Sequence, residues 1–378
     1  MTIYQNQNVI QSVVDYLRSC PQTDIACSVG FDGYVDELYH VVKTRKSQDE
    51  LRFYNSIESF GKRILQASQK SADLELVLSQ RKIGGNGPIL SNALALLGSK
   101  VTCIGTLDLE GGDNPFQKMP RNCRQISFGS ASHTIALEFD DGKVMLGNLR
   151  GNYFTWEQMK EKVGLSNLQE SYRTSKLIAI VNWSGLHYIQ EILEGYQREV
   201  CGHFSPDCRK DKIFFFDLAD PTVLCDGRVH QFLQCIRSYS QNARVILGLN
   251  ENEAGQIGEI CCPDCSGLAE IGEELRKRLG LFQVIIHTNE EAFCFSEEKS
   301  ECFQGMYVEH PIISTGAGDH FNAGYLWAVL NGLSIEQSLV LGQAEASFYL
   351  SAGRAPTTDQ LSLFLEDQLP REKGVVNI

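Results

Sequence analysis

No apolar run in the 378-residue chain approaches the roughly 18 residues that a membrane-crossing helix needs. A helical membrane span is therefore not expected. The opening stretch MTIYQNQNVIQSVVDYLRSC carries neither the basic nor the apolar segment of a secretory signal, so the sequence reads as that of a soluble cytoplasmic protein. Basic residues are also in deficit, with 34 Lys and Arg against 47 Asp and Glu and a net charge of -13. That balance excludes a broad electrostatic attraction to nucleic acid or to an anionic membrane. It leaves room for one small anion site built from backbone N–H groups.

A disulfide frame is missing as well. The 13 cysteines are odd in number and scattered from Cys20 to Cys302, whereas secreted disulfide scaffolds concentrate an even set in a short chain. Cys262 and Cys265 have the spacing of half a zinc site, but no second CxxC or HxxxH follows to complete four ligands. Buried or surface thiols are the plainer account. A phosphate-binding GxxxxGK[ST] loop is absent, since Gly61-Lys62-Arg63 and Gly142-Lys143-Val144 lack the Ser or Thr. The dinucleotide fingerprint fails too, because Gly85-x-Gly87 runs on to Leu90 and Gly316-x-Gly318 to Phe321.

What is present is ample apolar material, 43% of positions, arranged with a clear rhythm. Short runs of strand length, Asp24 to Gly30, Val101 to Gly105, Lys176 to Asn182, Lys212 to Asp217, Ala243 to Leu249 and Phe282 to His287, read as strands buried on both faces. Between them Ile89 to Leu97, Leu186 to Val200, Val229 to Ser240 and Ala269 to Leu279 have helical periodicity. That alternation predicts right-handed crossovers and a largely parallel sheet, hence an α/β fold. Two segments break the rhythm: Gly33 to Lys43 alternates like a strand, and Ser132 to Asn148 reads as two strands around an Asp140-Asp141-Gly142 turn. Strands without crossover helices predict a small separate sheet made of residues 33–54 and 126–150, inserted into one large domain spanning 1–378. A strand-like Val308 to Ile313 then leads into three helices, Asp319 to Leu330, Ile335 to Ser351 and Thr358 to Leu365.

The junction Ser314-Thr315-Gly316-Ala317-Gly318-Asp319 carries the most chemistry. A small-residue turn opening a helix presents several unpaired N–H groups at the positive end of the helix dipole, which is a site for phosphate. Asp319 falls at the helix start, within reach of whatever those groups hold. An anion hole beside a carboxylate suits phosphoryl transfer, the N–H groups stabilising charge on phosphate and the carboxylate taking a proton from the attacking hydroxyl. The plain alternative is an Asp that caps a helix after a glycine turn.

Residues Ser314 to Gly324, STGAGDHFNAG, resemble the C-terminal signature of the PfkB, or ribokinase-like, carbohydrate kinases. Gly84-Gly85-Asn86-Gly87-Pro88, running to Leu97-Gly98, is similar to the N-terminal signature of the same family, and Asn250-Glu251-Asn252-Glu253 to its Asn-x-x-Glu element. With Asp36 after the first strand, they follow the family's order along the chain. The resemblance implies a ribokinase-like three-layer α/β/α sandwich, a central and mostly parallel sheet, and a small inserted β-sheet lid. It implies Asp319 as general base and the N–H groups of Gly316, Ala317 and Gly318 as an anion hole for the γ-phosphate. Asn250, Glu253 and Thr315 would organise the nucleotide and Mg2+, largely through water, with no direct protein ligand to the metal expected. Asp32, Asp36, Gly84, Gly85 and Asn86 would hold substrate hydroxyls. Each has a plainer reading: Asp36 as a turn residue, Gly84-Gly85 as a bend, and Asn250 with Glu253 as a capping box.

The chain departs from the family pattern in two places. Ile89 stands where the N-terminal signature usually has Asn, and His287-Thr288-Asn289-Glu290-Glu291-Ala292 lacks the glycines that relatives carry before the nucleotide site. The spacing in Gly30-Phe31-Asp32-Gly33-Tyr34-Val35-Asp36 is similar to that of the ADP-dependent sugar kinases, while Ser314 to Phe321 favours ATP. The leading expectation is an ATP-dependent kinase of a hydroxymethyl group on a sugar-like small molecule. The alternatives are a nucleoside or ADP-dependent sugar kinase, or a non-catalytic ligand-sensing relative. The resemblance is also compatible with a monovalent cation such as K+ near the anion hole, and an exposed edge of the small sheet with a homodimer through the lid.

Overall fold

The computed structural model describes residues 3–19, 24–47, 50–109, 113–148, 150–219, 226–313 and 315–369. Ser314, the first residue of the C-terminal motif, lies outside them, as do Cys20 and Cys225. Among the described residues fourteen strands run in chain order: β1 (Ala26–Gly30), β2 (Tyr34–Arg45), β3 (Leu51–Phe53), β4 (Leu76–Gly84), β5 (Lys100–Gly105), β6 (Cys123–Ser127), β7 (Ser132–Phe139), β8 (Gly142–Asn148), β9 (Leu177–Ile180), β10 (Ile213–Asp217), β11 (Arg244–Asn250), β12 (Gln283–His287), β13 (Glu291–Ser296) and β14 (Ser300–Gln304).

Nine of them form one sheet in the order β14-β13-β12-β11-β10-β9-β1-β5-β6. It is parallel from β12 to β6, and β13 and β14 close the other edge as an antiparallel hairpin. The parallel strands are apolar on both faces because helices cover both. In β10, Ile213 and Phe215 join the core under the helices Ile3–Ser19, Asn86–Leu96, Ala317–Leu330 and Ile335–Ala352. Phe214 and Phe216 join the opposite core, under the helices Trp156–Val163, Ile189–Gly195, Asp226–Ser240 and Leu268–Leu279. The result is a three-layer α/β/α sandwich with helices on both sides of a mostly parallel sheet.

A second sheet has the order β3-β2-β7-β8, with β4 paired antiparallel to β2. Its outer face packs Val41, Leu137 and Phe139 on Phe60 of the helix Ile57–Leu65. Side chains alternate across a strand, so the other face carries Asp36, Lys82 and Thr134, which are register neighbours, together with Glu138 and Lys143. Along this face opposite charges stand across from one another, a pairing that stabilises a sheet without apolar contact.

Three expectations need correction. Residues 126 and 127 belong to β6 at the edge of the large sheet, so the small sheet resumes only at Ser132. β4 was not anticipated, because LVLSQRKIG lacks a hydrophobic alternation. Residues 308–313 form no strand: Pro311 has no N–H to donate, and the Ile312 N–H turns to the carbonyl of Leu350, 2.8 Å away. No disulfide links the described cysteines, and no described helix is long and apolar enough to cross a membrane.

Candidate active site

In an open parallel sheet the groups beyond the carboxyl ends of the strands converge on one crevice. Asp32 follows β1, and Asp217, Asn250 and His287 end β10, β11 and β12. The turn at Gly316 brings the helix Ala317–Leu330 to the same end.

That turn depends on glycine. Gly316 sits at φ +95°, ψ 2°, left-handed backbone that a side chain disfavours, and its carbonyl accepts from the N–H of His320 at 3.1 Å. A Cβ there would stand 3.3 Å from both Ile89 Cδ1 and the Tyr349 hydroxyl. The Tyr349 hydroxyl in turn donates to the Thr315 carbonyl at 2.8 Å. Ile89, the departure from the family pattern, is thus a wall of the turn. No side chain among the described residues caps this helix, so the N–H groups of its first turn point outward without an intrahelical acceptor. His320 and Glu345 anchor the helix from behind through a buried 3.1 Å hydrogen bond, with the imidazole stacked on Tyr349. Burial holds Glu345 well above the usual carboxylate range and pushes His320 down to about 3.

The second glycine turn, between β4 and the helix Asn86–Leu96, is filled by the protein itself. Asp32 accepts from the N–H of Gly87 at 2.8 Å, from that of Asn86 at 3.0 Å and from the Asn182 side chain at 2.8 Å. Gly85 turns the chain at φ +85°, and a methyl at Gly84 would collide with the Asp36 carboxylate. Asp36 is buried, beside Thr134 and opposite Lys82 in the strand register. Burial raises its pKa while Lys82 pulls it back.

The two turns meet at Asp319. This carboxyl is buried, and burial together with the neighbouring Asp217 and Asp32 holds its pKa well above the usual range, while the polar Asn86 side chain nearby opposes the shift. Asp217 is pushed up to about 6 by burial, against the stabilising N–H of Ala219 and a 2.8 Å hydrogen bond donated by Asn322. Asp32 also stands at about 6, again through burial. A buried carboxyl raised by carboxylate neighbours is suited to exchange a proton near neutral pH.

On the far side of the Gly316 turn lies a cleft of about 900 Å³, lined among others by Asn250, His287, Ala317, Gly318 and Gln343. A Cβ at Gly318 would approach His287 to 3.1 Å, and that ring packs on Phe321. Asn250 and Glu253 form a reciprocal capping box, each side chain accepting from the other's backbone N–H at 2.9 Å. The plainer reading of this pair is therefore realised, and Glu253 remains close enough to add to the field on Asp319. Among the described residues no group of three His, Cys, Asp or Glu forms a cage for a metal. Asp217 and Glu253 both lie close enough to Asp319 to raise its pKa, and an ion held mainly by phosphates and water needs no such cage.

The sequence-derived residues Asp32, Asp36, Gly84, Gly85, Asn86, Gly316, Ala317, Gly318 and Asp319 come together here, with Thr315 at the turn and Asn250 and Glu253 on the cleft side. Asp217, Asn182, Asn322, Lys82 and Tyr349 were missed. Only Asp217 had a readable signal, as the carboxylate ending a buried strand.

Residues 7–368 match the family described as prokaryotic ketohexokinase. The ketohexokinase of Haloferax volcanii is 25% identical over 349 residues, covering 90% of each chain. The solved adenosine kinase of Sinorhizobium meliloti aligns with a TM-score of 0.63 at 16% identity, over 92% of this chain and 100% of that one. The ribokinase of Arabidopsis thaliana, complexed with ribose and ATP, aligns with a TM-score of 0.58 at 15% identity, over 91% and 99%. At these identities the structural likeness speaks for the fold, while the family match spans nearly the whole chain. The chain belongs to the prokaryotic ketohexokinase family, among the PfkB carbohydrate kinases of ribokinase-like fold, and is a phosphotransferase acting on a sugar hydroxyl group.

Proposed function

We propose that this chain transfers the γ-phosphate of ATP to a hydroxymethyl group of a free ketohexose. The observation that carries the reading is the placement of Asp319 in the first turn of a helix that no described side chain caps, with the nucleotide-sized cleft on one side and Asn86 of the other glycine turn near its carboxyl. In this reading the cleft holds ATP, and the N–H groups of Gly316, Ala317 and Gly318 take the charge that develops on the transferred phosphoryl oxygens. Asp319 accepts the hydroxyl proton as the new O–P bond forms and the bond to the ADP leaving oxygen breaks. Its pKa, raised by burial and by Asp217 and Asp32, makes it a stronger proton acceptor than an ordinary carboxylate. Asp36 and Asn86 orient the sugar, and Asp32 acts one step back by holding the Asn86 turn in place. The small sheet serves as a lid whose polar inner face closes over the sugar and excludes water. Magnesium bound with the nucleotide would neutralise the phosphate oxygens, with Asp217, Asn250, Glu253 and Thr315 holding its water shell.

A coupled assay of nucleotide consumption over ketohexoses, aldoses, polyols, sugar phosphates and nucleosides, run with ATP and with ADP, tests this. The expected result is turnover with ATP and a free ketohexose such as D-fructose. Turnover confined to nucleosides, or to ADP as donor, would replace the reading.

A further inference from the structure

The inner face of the small sheet contains a buried cation that the site described so far leaves without a role. Lys82 stands directly across from Asp36 in the antiparallel β2–β4 ladder, two residues before the Gly84-Gly85 turn. Its Nζ is shut off from solvent and has no hydrogen-bond partner. The ammonium also lies close enough to His320, on the helix that carries Asp319, to oppose protonation of that imidazole. Lys82 therefore reaches from the small sheet toward the helix that carries Asp319. A buried ammonium without acceptors is costly, and a ligand that supplies acceptors recovers that cost on binding.

The neighbouring charges define what such a ligand is. Asp36 faces Lys82, and Glu138 is ion-paired with Lys143 at 3.1 Å further along the same face. Each ammonium is matched by a carboxylate, so the face as a whole does not attract an anion, and a phosphorylated sugar would meet Asp36 and Glu138 as repulsive neighbours. A donor beside an acceptor instead fits adjacent hydroxyl or carbonyl oxygens, with Lys82 donating and Asp36 accepting.

We propose that Lys82 and Asp36 form a donor–acceptor pair that reads neighbouring oxygens of an uncharged sugar, making Lys82 a specificity-determining residue of the acceptor site. This rests on the kinase reading above and deepens it. The test measures D-fructose, D-fructose 1-phosphate and D-fructose 6-phosphate binding by calorimetry without nucleotide, together with steady-state KM values for sugar and ATP, in wild type, Lys82→Met and Lys82→Gln. In Lys82→Met the sugar Kd and KM are expected to rise at least about tenfold, equivalent to about 1.4 kcal/mol, while the KM for ATP stays within about twofold. Lys82→Gln, which restores a donor without the charge, recovers part of the loss.

A pH series supplies a readout that a packing role would not move. Burial lowers the Lys82 pKa to about 8 against the pull of Asp36, with Lys143 and Glu138 also facing it from the small sheet and His320 from the helix. Wild-type sugar affinity is expected to fall as pH rises through about 8, and that of Lys82→Met to stay level. Equal sugar affinity in Lys82→Met and wild type, an equal pH-dependent decline in both, or tighter binding of a fructose phosphate than of fructose would overturn the proposal. Should Lys82→Met fail to fold, Lys82→Gln at wild-type sugar affinity above pH 9 and below pH 7 alike would do the same. A wild-type protein that binds fructose yet phosphorylates no sugar defeats the kinase reading and leaves the Lys82 contact standing.

Discussion

Two glycine turns open two helices at the same end of the sheet, and they are used in opposite ways. At Gly84-Gly85-Asn86-Gly87 the first N–H groups of the helix are occupied by the protein's own carboxylate, Asp32, which is itself held by Asn182. At Gly316-Ala317-Gly318 no described side chain takes that place, and the open N–H groups face a cleft of about 900 Å³. Similar local sequences thus produce one turn that is internally satisfied and rigid, and another whose hydrogen-bonding capacity is left for a ligand. In the proposed mechanism the first shapes the site, and the second would supply electrostatic stabilisation without reorganisation at the moment of reaction.

Substitutions can separate these roles. The largest effect is expected at Asp319, where the open turn meets the proton: Asp319→Asn should lower kcat by about two to four orders of magnitude while the melting curve shows no loss of stability, since a costly buried carboxyl becomes a neutral amide. Turnover close to wild type in an assay with saturating ATP and sugar would remove Asp319 as the base. Next come the turns themselves, which should fail differently. Gly318→Val must push aside His287 and narrow the open turn, so ATP affinity and turnover should fall by about tenfold or more with the fold intact. Gly87→Ala places a Cβ 2.6 Å from Asp32 Oδ1 in the occupied turn, and should cost about 1–3 kcal/mol in denaturant unfolding. If the Gly318 variant lost mainly stability and the Gly87 variant mainly ATP affinity, the contrast between the turns would collapse.

The smallest effect concerns Asp217, whose removal sharpens the comparison without touching either turn. Its native pKa of about 6 lies above the ordinary 3.8, so the folded state binds a proton more readily than the unfolded chain. Asp217 therefore costs no stability below about pH 4, and destabilises progressively as pH rises toward 6 and above. Asp217→Asn removes that cost, and the Asn322 amide can turn its unpartnered Oδ1 toward the new side chain. The variant should melt about 2–4 °C higher than wild type at pH 7 and equally near pH 4, as scanning calorimetry would show. With one negative neighbour fewer, the Asp319 carboxyl also ionises more easily, and the acid limb of kcat should move to lower pH.

Lys82 and Ile89 illustrate how much of the site the sequence conceals. Ile89 was visible as a break in a motif, but that it walls the Gly316 turn depends on two segments more than two hundred residues apart meeting in space. Lys82 lies in a strand whose pattern is too polar to announce itself, and its environment arises only when β4 pairs with β2. Asp32 was legible as a site residue; its commitment to three protein donors was not.

By itself the sequence determined the elements that short-range physics controls. Buried apolar runs alternating with helical periods specify a parallel sheet clad by helices, because each period exposes or hides the same faces wherever the chain goes. Gly316, Gly318 and Asp319 mark a helix start suited to an anion, because a glycine turn, unpaired N–H groups and a carboxylate in the first turn are local properties. Only the tertiary structure decided which carboxylates crowd one another, since Asp32 is raised by burial, and Asp217 and Asp319 by burial together with neighbouring carboxylates, none of which any spacing encodes. It also decided which of two glycine turns is filled and which is open. Local sequence makes both able to bind an anion, and the long-range placement of Asp32 satisfies just one of them.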